Sequence, residues 1–169
     1  PWAGVDPITV AAPVLLGAQS IIARQVDITA QPVVLTAGQI NSGLRFNIIP
    51  DTATMVGTLR TFDMDVRQDV IDRFRSTAEH FAAASGATAT LKVDMNAPVT
   101  RNDPVLTERL RPSLLRAVGE GNVVEVPRYT IAEDFSEFAN VAPGFYFFVG
   151  TTPAGTDPLT APINHSPHY

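Results

Sequence analysis

ATMVGTLRTFDMDVRQDVIDRFRSTAEHFAAASG, residues 53–86, changes its hydrophobic period part-way along. The first ten residues alternate as a strand does, and the remainder keeps the helical period. Val66, Val70, Phe74, Ala78, Phe81 and Ala82 make the helix's apolar stripe. An aspartate, Asp63, stands before it, and Gly86 follows as the expected C-terminal cap. A strand feeding directly into an amphipathic helix is the unit of a layered sheet-and-helix fold.

Upstream, QPVVLTAG (31–38) is a short run rich in β-branched residues and reads as a partner strand, with INSGLRFNIIPD (40–51) as the loop between the two. Before it, DPITVAAPVLLGAQSIIARQVD reads as a helix. Asp6 supplies the N-cap, Pro7 takes the first helical position, and Ile8, Ala12, Leu15 and Ile22 fall on one face. Pro13 is expected to kink or loosen that helix. Downstream, ATATLKVD (87–94) alternates as a third strand, with Ala89, Leu91 and Val93 on one face. The predicted order is helix, strand, strand, helix, strand: an α+β layer with an antiparallel sheet covered on one face by two helices. Such a layer ordinarily has a further strand before its first helix, and that first strand is missing.

Beyond NAPVTRND the rhythm changes. Asp103-Pro104 opens a helix carrying Leu106, Leu110, Leu114 and Val118 and closing at Gly119. NVVEV follows as a strand, TIAEDFSEFAN as a short helix, and GFYFFVG as a buried strand. Alternating helix and strand is the mark of an α/β domain. The expected division is therefore 1–98 for the α+β unit and 99–169 for part of an α/β domain.

The composition excludes several classes. Of 169 residues, 45% are hydrophobic and 17% charged, which marks a folded chain. The net charge of -5 argues against nucleic-acid or anionic-membrane partners. No uninterrupted apolar run suits a membrane span. Without cysteine there are no disulfides and no thiolate chemistry, in keeping with a cytoplasmic setting. The start at Pro1 reads as a cut through a longer protein, with Pro1 in a loop. Phosphate loops, dinucleotide fingerprints and serine elbows are absent.

Three places carry candidate chemistry. INHSPHY (163–169) holds His165 and His168 around Pro167; histidine is the commonest metal ligand, but a loop histidine is commonly just solvated, and two cannot complete a zinc site. Glu133 and Asp134, adjacent acids at a short helix start, suit acid/base or metal work, or simply complement the helix dipole. Asn47 lies in the loop and Arg60 in the strand. An arginine there can grip a carboxylate with two prongs, or form a cross-strand ion pair, or stand solvated.

Taken in order, PWAGVDPI, GQINSGLRFNIIPDTATMVGTLRTFD, APVTRNDPVLTE, AEDFS, GFYFFVG and NHSPHY resemble the metal-dependent amidohydrolases of the aminoacylase and carboxypeptidase type. The nearest branch is that of hippurate hydrolase and the indole-acetyl-amino-acid hydrolases. The resemblance implies a fragment: residues 1–98 as a lid and dimerisation domain, residues 99–169 as the C-terminal portion of a metal-binding catalytic domain. It implies cleavage of the amide bond of N-acyl amino acids or small peptides. The metal would be two zinc ions, with manganese, cobalt or nickel as substitutes, and the lid would pair two subunits into a homodimer. By position, His165 matches a metal ligand, Asn47 and Arg60 match substrate-binding positions, and Glu133 and Asp134 sit beside the active site without ligating metal. The remaining ligands and the general base would lie upstream of Pro1, so this chain alone is expected to be inactive. A companion N-terminal chain could supply them. The alternative is a non-catalytic dimerisation and binding module, since a sheet lacking a strand exposes an edge.

Overall fold

The computed structural model describes residues 2–168; expectations concerning Pro1 and Tyr169 fall outside them. The chain runs α1 (Pro7–Gln25), β1 (Val33–Ser42), β2 (Ala53–Thr61), α2 (Met64–Ala84), α3 (Pro104–Val118), a 3-10 turn (Glu120–Asn122) and α4 (Phe135–Ala139).

The helix ends follow the caps written in the sequence. Asp6 Oδ1 accepts the Ile8 amide at 2.9 Å, with Pro7 leading α1. Asp63 Oδ1 accepts two amides of α2, Asp65 at 2.9 Å and Val66 at 3.1 Å. At the other end of α2, Gly86 takes φ 73°, its amide donates to the Ala83 carbonyl and that of Ala87 to Ala82. This paired closure needs a left-handed residue, which glycine supplies without strain. Asp103 Oδ1 caps α3 through the Leu106 amide at 2.7 Å.

β1 and β2 form an antiparallel hairpin from Val33↔Thr61 to Ser42↔Ala53. β1 therefore runs through QINS, residues the sequence places in part in the loop. The register slips between Ala37 and Gln39, leaving Gly38 as an extra residue in β1. Both helices pack on the hairpin and on one another. Ile21, Val33 and Val70 form the centre of the core, flanked by Leu35, Leu59 and Phe74. Among the described residues every buried apolar side chain lies between Val10 and Ala82, while Trp2 is 95% exposed.

Two expectations change. In α1 the buried face is Val10, Ala11, Val14, Ala18 and Ile21; Ile8 and Ala12 point to solvent. Small residues decide this. A Cβ placed on Gly17 would meet Thr77 Cγ2 at 2.6 Å, so α2 approaches α1 where Gly17, Ala11 and Ala18 leave room. α1 also continues through Pro13, whose missing N–H costs one intrahelical bond without ending the helix. At 19 residues it is by length and composition apolar enough to cross a membrane, yet one face packs as a core helix does. Finally, ATATLKVD, NVVEV and GFYFFVG join no sheet ladder: among the described residues the only sheet is β1–β2. Alternation gives a segment the right faces, but a strand also needs a neighbour for its ladder.

Candidate functional site

Asn47 belongs to the loop closing the hairpin. With Asp6, Ile8 and residues 42–50 it lines an open groove of about 560 Å³. The groove is polar and apolar in nearly equal parts, and Leu44 and Phe46 stand fully in solvent at its rim.

Arg60 lies at the other end of β2, opposite Val34, and makes no cross-strand ion pair among the described residues. Its Nη1 donates instead to the Thr130 carbonyl at 2.6 Å. Asn47 and Arg60 are far apart. Arg60 to Ala53 alone is roughly 23 Å at about 3.3 Å per residue, before the loop is added. The helix gives a second ruler. The groove touches Ile8, whereas the hairpin's open end packs on Ile21, which is roughly 20 Å further along α1.

Glu133 is held from two sides. The Tyr146 hydroxyl donates to its Oε2 at 2.9 Å, and the Phe135 amide to its Oε1 at 3.3 Å. These bonds, the phenol's first, then that of neighbouring Asp134, hold the Glu133 carboxyl below its ordinary range. In return, the Glu133 carboxylate, assisted by burial, pushes the Tyr146 phenol up. Tyr146 is also clamped by Asn102: Asn102 Nδ2 donates to the Tyr146 carbonyl and the Tyr146 amide to Asn102 Oδ1, both at 2.8 Å. Asp134 precedes α4 without capping it through its side chain. Of the two acids, Glu133 thus serves the helix start and the tyrosine. Tyr146 escapes sequence reading because it looks like one more aromatic in an apolar run.

His165 is exposed in a turn, with φ 71°, the one non-glycine residue of positive φ among those described. The Ser166 amide donates to the Ile163 carbonyl at 3.1 Å, and the His168 amide to Ser166 Oγ at 3.1 Å. No three His, Cys, Asp or Glu side chains gather among the described residues to hold a metal. His165 offers one imidazole, whereas a metal centre needs three or four protein ligands.

Comparison with known proteins gives the following. The family described as the peptidase dimerisation domain matches residues 1–85. An N-acetyl-L-cysteine deacetylase of Bacillus subtilis is 36% identical over 151 residues, 89% of this chain and 36% of that protein. Thermostable carboxypeptidase 2 of Saccharolobus solfataricus is 38% identical over 152 residues, 89% of this chain and 38% of that protein. Among solved structures, the YXEP protein of Bacillus subtilis superposes with a TM-score of 0.69 at 30% identity, over 83% of this chain and 36% of its own. It is described as a dinuclear metal binding peptidase of the M20 family. The chain spans little more than a third of the length of these relatives.

Proposed function

The chain belongs to the M20 peptidases through their dimerisation domain, and on that premise we propose that it is the lid and C-terminal part of a hydrolase that cleaves the amide bond of N-acyl amino acids or small peptides. The relatives' activities, a deacetylase and a carboxypeptidase, both break an amide bond. In this reading residues 1–98 are the lid and 99–169 return to the catalytic domain.

The residues present fit a metal only as one corner of its site. His165 would hold it together with ligands from the upstream portion, and no step is derived through a centre this chain does not complete. A bound divalent pair, zinc in this reading, would supply an activated water and a polarised carbonyl. This chain's own contribution is binding and orientation. Arg60 grips the substrate carboxylate, Asn47 bonds the amide region, and Glu133 with Asp134 supports the wall beside the scissile bond.

One observation gives this reading its form: Asn47 and Arg60 stand at opposite ends of the hairpin. A small substrate cannot touch both within one chain. A homodimer resolves this, with Asn47 from one protomer and Arg60 from the other completing each site. The hairpin's outer edges, unpaired among the described residues, suit such pairing.

Complementation tests it. In the full-length protein, Asn47→Ala and Arg60→Ala should each be inactive. Mixed and refolded together, they should regain about a quarter of the activity, because half the dimers are mixed and each has one intact site. No recovery would refute the shared site. Activity from the 169-residue chain alone would refute the need for an upstream portion.

A further inference from the structure

Arg60 does more than stand ready for a ligand. Its Nη1 is committed to the Thr130 carbonyl at 2.6 Å, across 70 residues of sequence. Two residues further along, Phe62 presents its ring to the Arg128 guanidinium, 5.8 Å from the centroid. The end of β2 is thus tied twice to residues 128–130.

That segment leads straight into Glu133. The Glu133 carbonyl accepts the Ser136 amide at 3.3 Å and the Ser136 hydroxyl at 2.7 Å, and its carboxylate accepts the Phe135 amide and the Tyr146 phenol. Ser136 is fully buried. Only Ile131 and Ala132 separate Thr130 from Glu133, whose bonds hold the first turn of α4.

The acceptor on Arg60 is a neutral carbonyl, which occupies one arm of a five-donor fork. A carboxylate fits that fork with two parallel charge-assisted bonds, each roughly twice as strong as a neutral one. A carboxylate that takes the end of the fork, through Nη1 and Nη2, meets the Thr130 carbonyl already bonded to Nη1. We infer that the Arg60–Thr130 contact is a carboxylate-released latch: an anion on Arg60 displaces the Thr130 carbonyl and removes one of the two ties between the hairpin and the segment carrying Glu133 and α4. Arg60 is then both a ligand-binding group and a positioning residue. The inference rests on the reading of Arg60 as the carboxylate grip. Linkage adds a condition: if the carboxylate favours the released state, weakening the latch elsewhere tightens carboxylate binding by the same factor.

The test is hydrogen exchange at the amides of Phe135, Ser136 and Glu137 in the full chain, with N-acetylglycine as probe and uncharged N-acetylglycinamide as control. N-acetylglycine should raise exchange about tenfold, the scale of one lost hydrogen bond to a charged group, and the amide should not. In Arg60→Gln, exchange should already be raised and unresponsive to the acid. Arg128→Ala, which leaves Arg60 in place, should raise exchange and bind N-acetylglycine more tightly. If the Arg60 side-chain nitrogen resonance reports acid binding while exchange stays constant, the latch is overturned and the carboxylate grip survives. If the acid moves neither signal, both fall.

Discussion

Gly17 of α1 faces Thr77 of α2 so closely that a methyl group on Gly17 would lie 2.6 Å from Thr77 Cγ2 and 3.1 Å from the Phe81 ring. Helix propensity favours alanine over glycine by about 1 kcal/mol, while overpacking a tight contact costs about 1–3 kcal/mol. Gly17→Ala is therefore expected to destabilise by up to about 2 kcal/mol in urea unfolding. Adding Thr77→Ser, which removes Cγ2, should recover part of the loss. A stabilised Gly17→Ala would show that the helices have room to part.

Gly57 makes a harder test, because its obstacle is backbone. A Cβ there would strike the carbonyl oxygen of Thr36 in β1. A carbonyl inside a ladder cannot rotate away as a side-chain tip can. Gly57→Ala should cost more than Gly17→Ala, about 3 kcal/mol, and should shift the amide resonances of residues 36–39. Unchanged resonances there would contradict the geometry.

Asp63 caps α2 through two amides, whereas Asp6 caps α1 through one. Replacing either with alanine should cost about 0.5–2 kcal/mol, with Asp63→Ala the larger loss. Thermal midpoints of the two variants measured side by side decide the order.

These caps are also where the sequence was most readable. Asp-Pro, a lone aspartate before an apolar stripe, and a glycine after it are local signals with local causes, so α1, α2 and α3 begin and end where the residues say. The buried face of α1 was not readable, because Gly17 and two alanines choose it through what α2 brings to meet them. ATATLKVD has the faces of a strand, but pairing depends on a partner that its own residues cannot name. Arg60 stands out in the sequence as a cation within an apolar strand, yet its acceptor is a main-chain carbonyl 70 residues away, and a carbonyl has no sequence signature. Glu133 was noticed for its charge; Tyr146, which fixes it, is a distant aromatic among aromatics.

The Glu133–Tyr146 bond sets a pH window. Glu133 is lowered from 4.5, so its contribution is complete above that value and is lost as pH falls through the lowered one. Tyr146 is raised from 10.0, so its contribution is complete below that value and is lost as pH rises through the raised one. Tyr146→Phe should return the Glu133 titration upward toward the ordinary glutamate range in carbon-detected NMR. No upward movement would mean the phenol is not what lowers it.

His165 occupies a left-handed backbone conformation that few residue types adopt readily, asparagine among them. If His165 ligates metal as proposed, His165→Asn in the full-length protein should keep the turn while removing the imidazole, and metal content measured by atomic absorption should fall. Full metal occupancy in that variant would exclude His165 as a ligand.

The core between α1, α2 and the hairpin has an optical consequence. Its centre is aliphatic, its nearest aromatic is Phe74, and the one tryptophan, Trp2, is already in water. Tyr129 and Tyr146 lie in the C-terminal segment and are not among the side chains that make that centre. Melting the core would leave tryptophan emission almost unmoved, while loosening the segment around Tyr146 would change tyrosine emission with the core intact. Fluorescence and far-ultraviolet circular dichroism would then give two different transitions for one chain, each reporting a different part of the molecule.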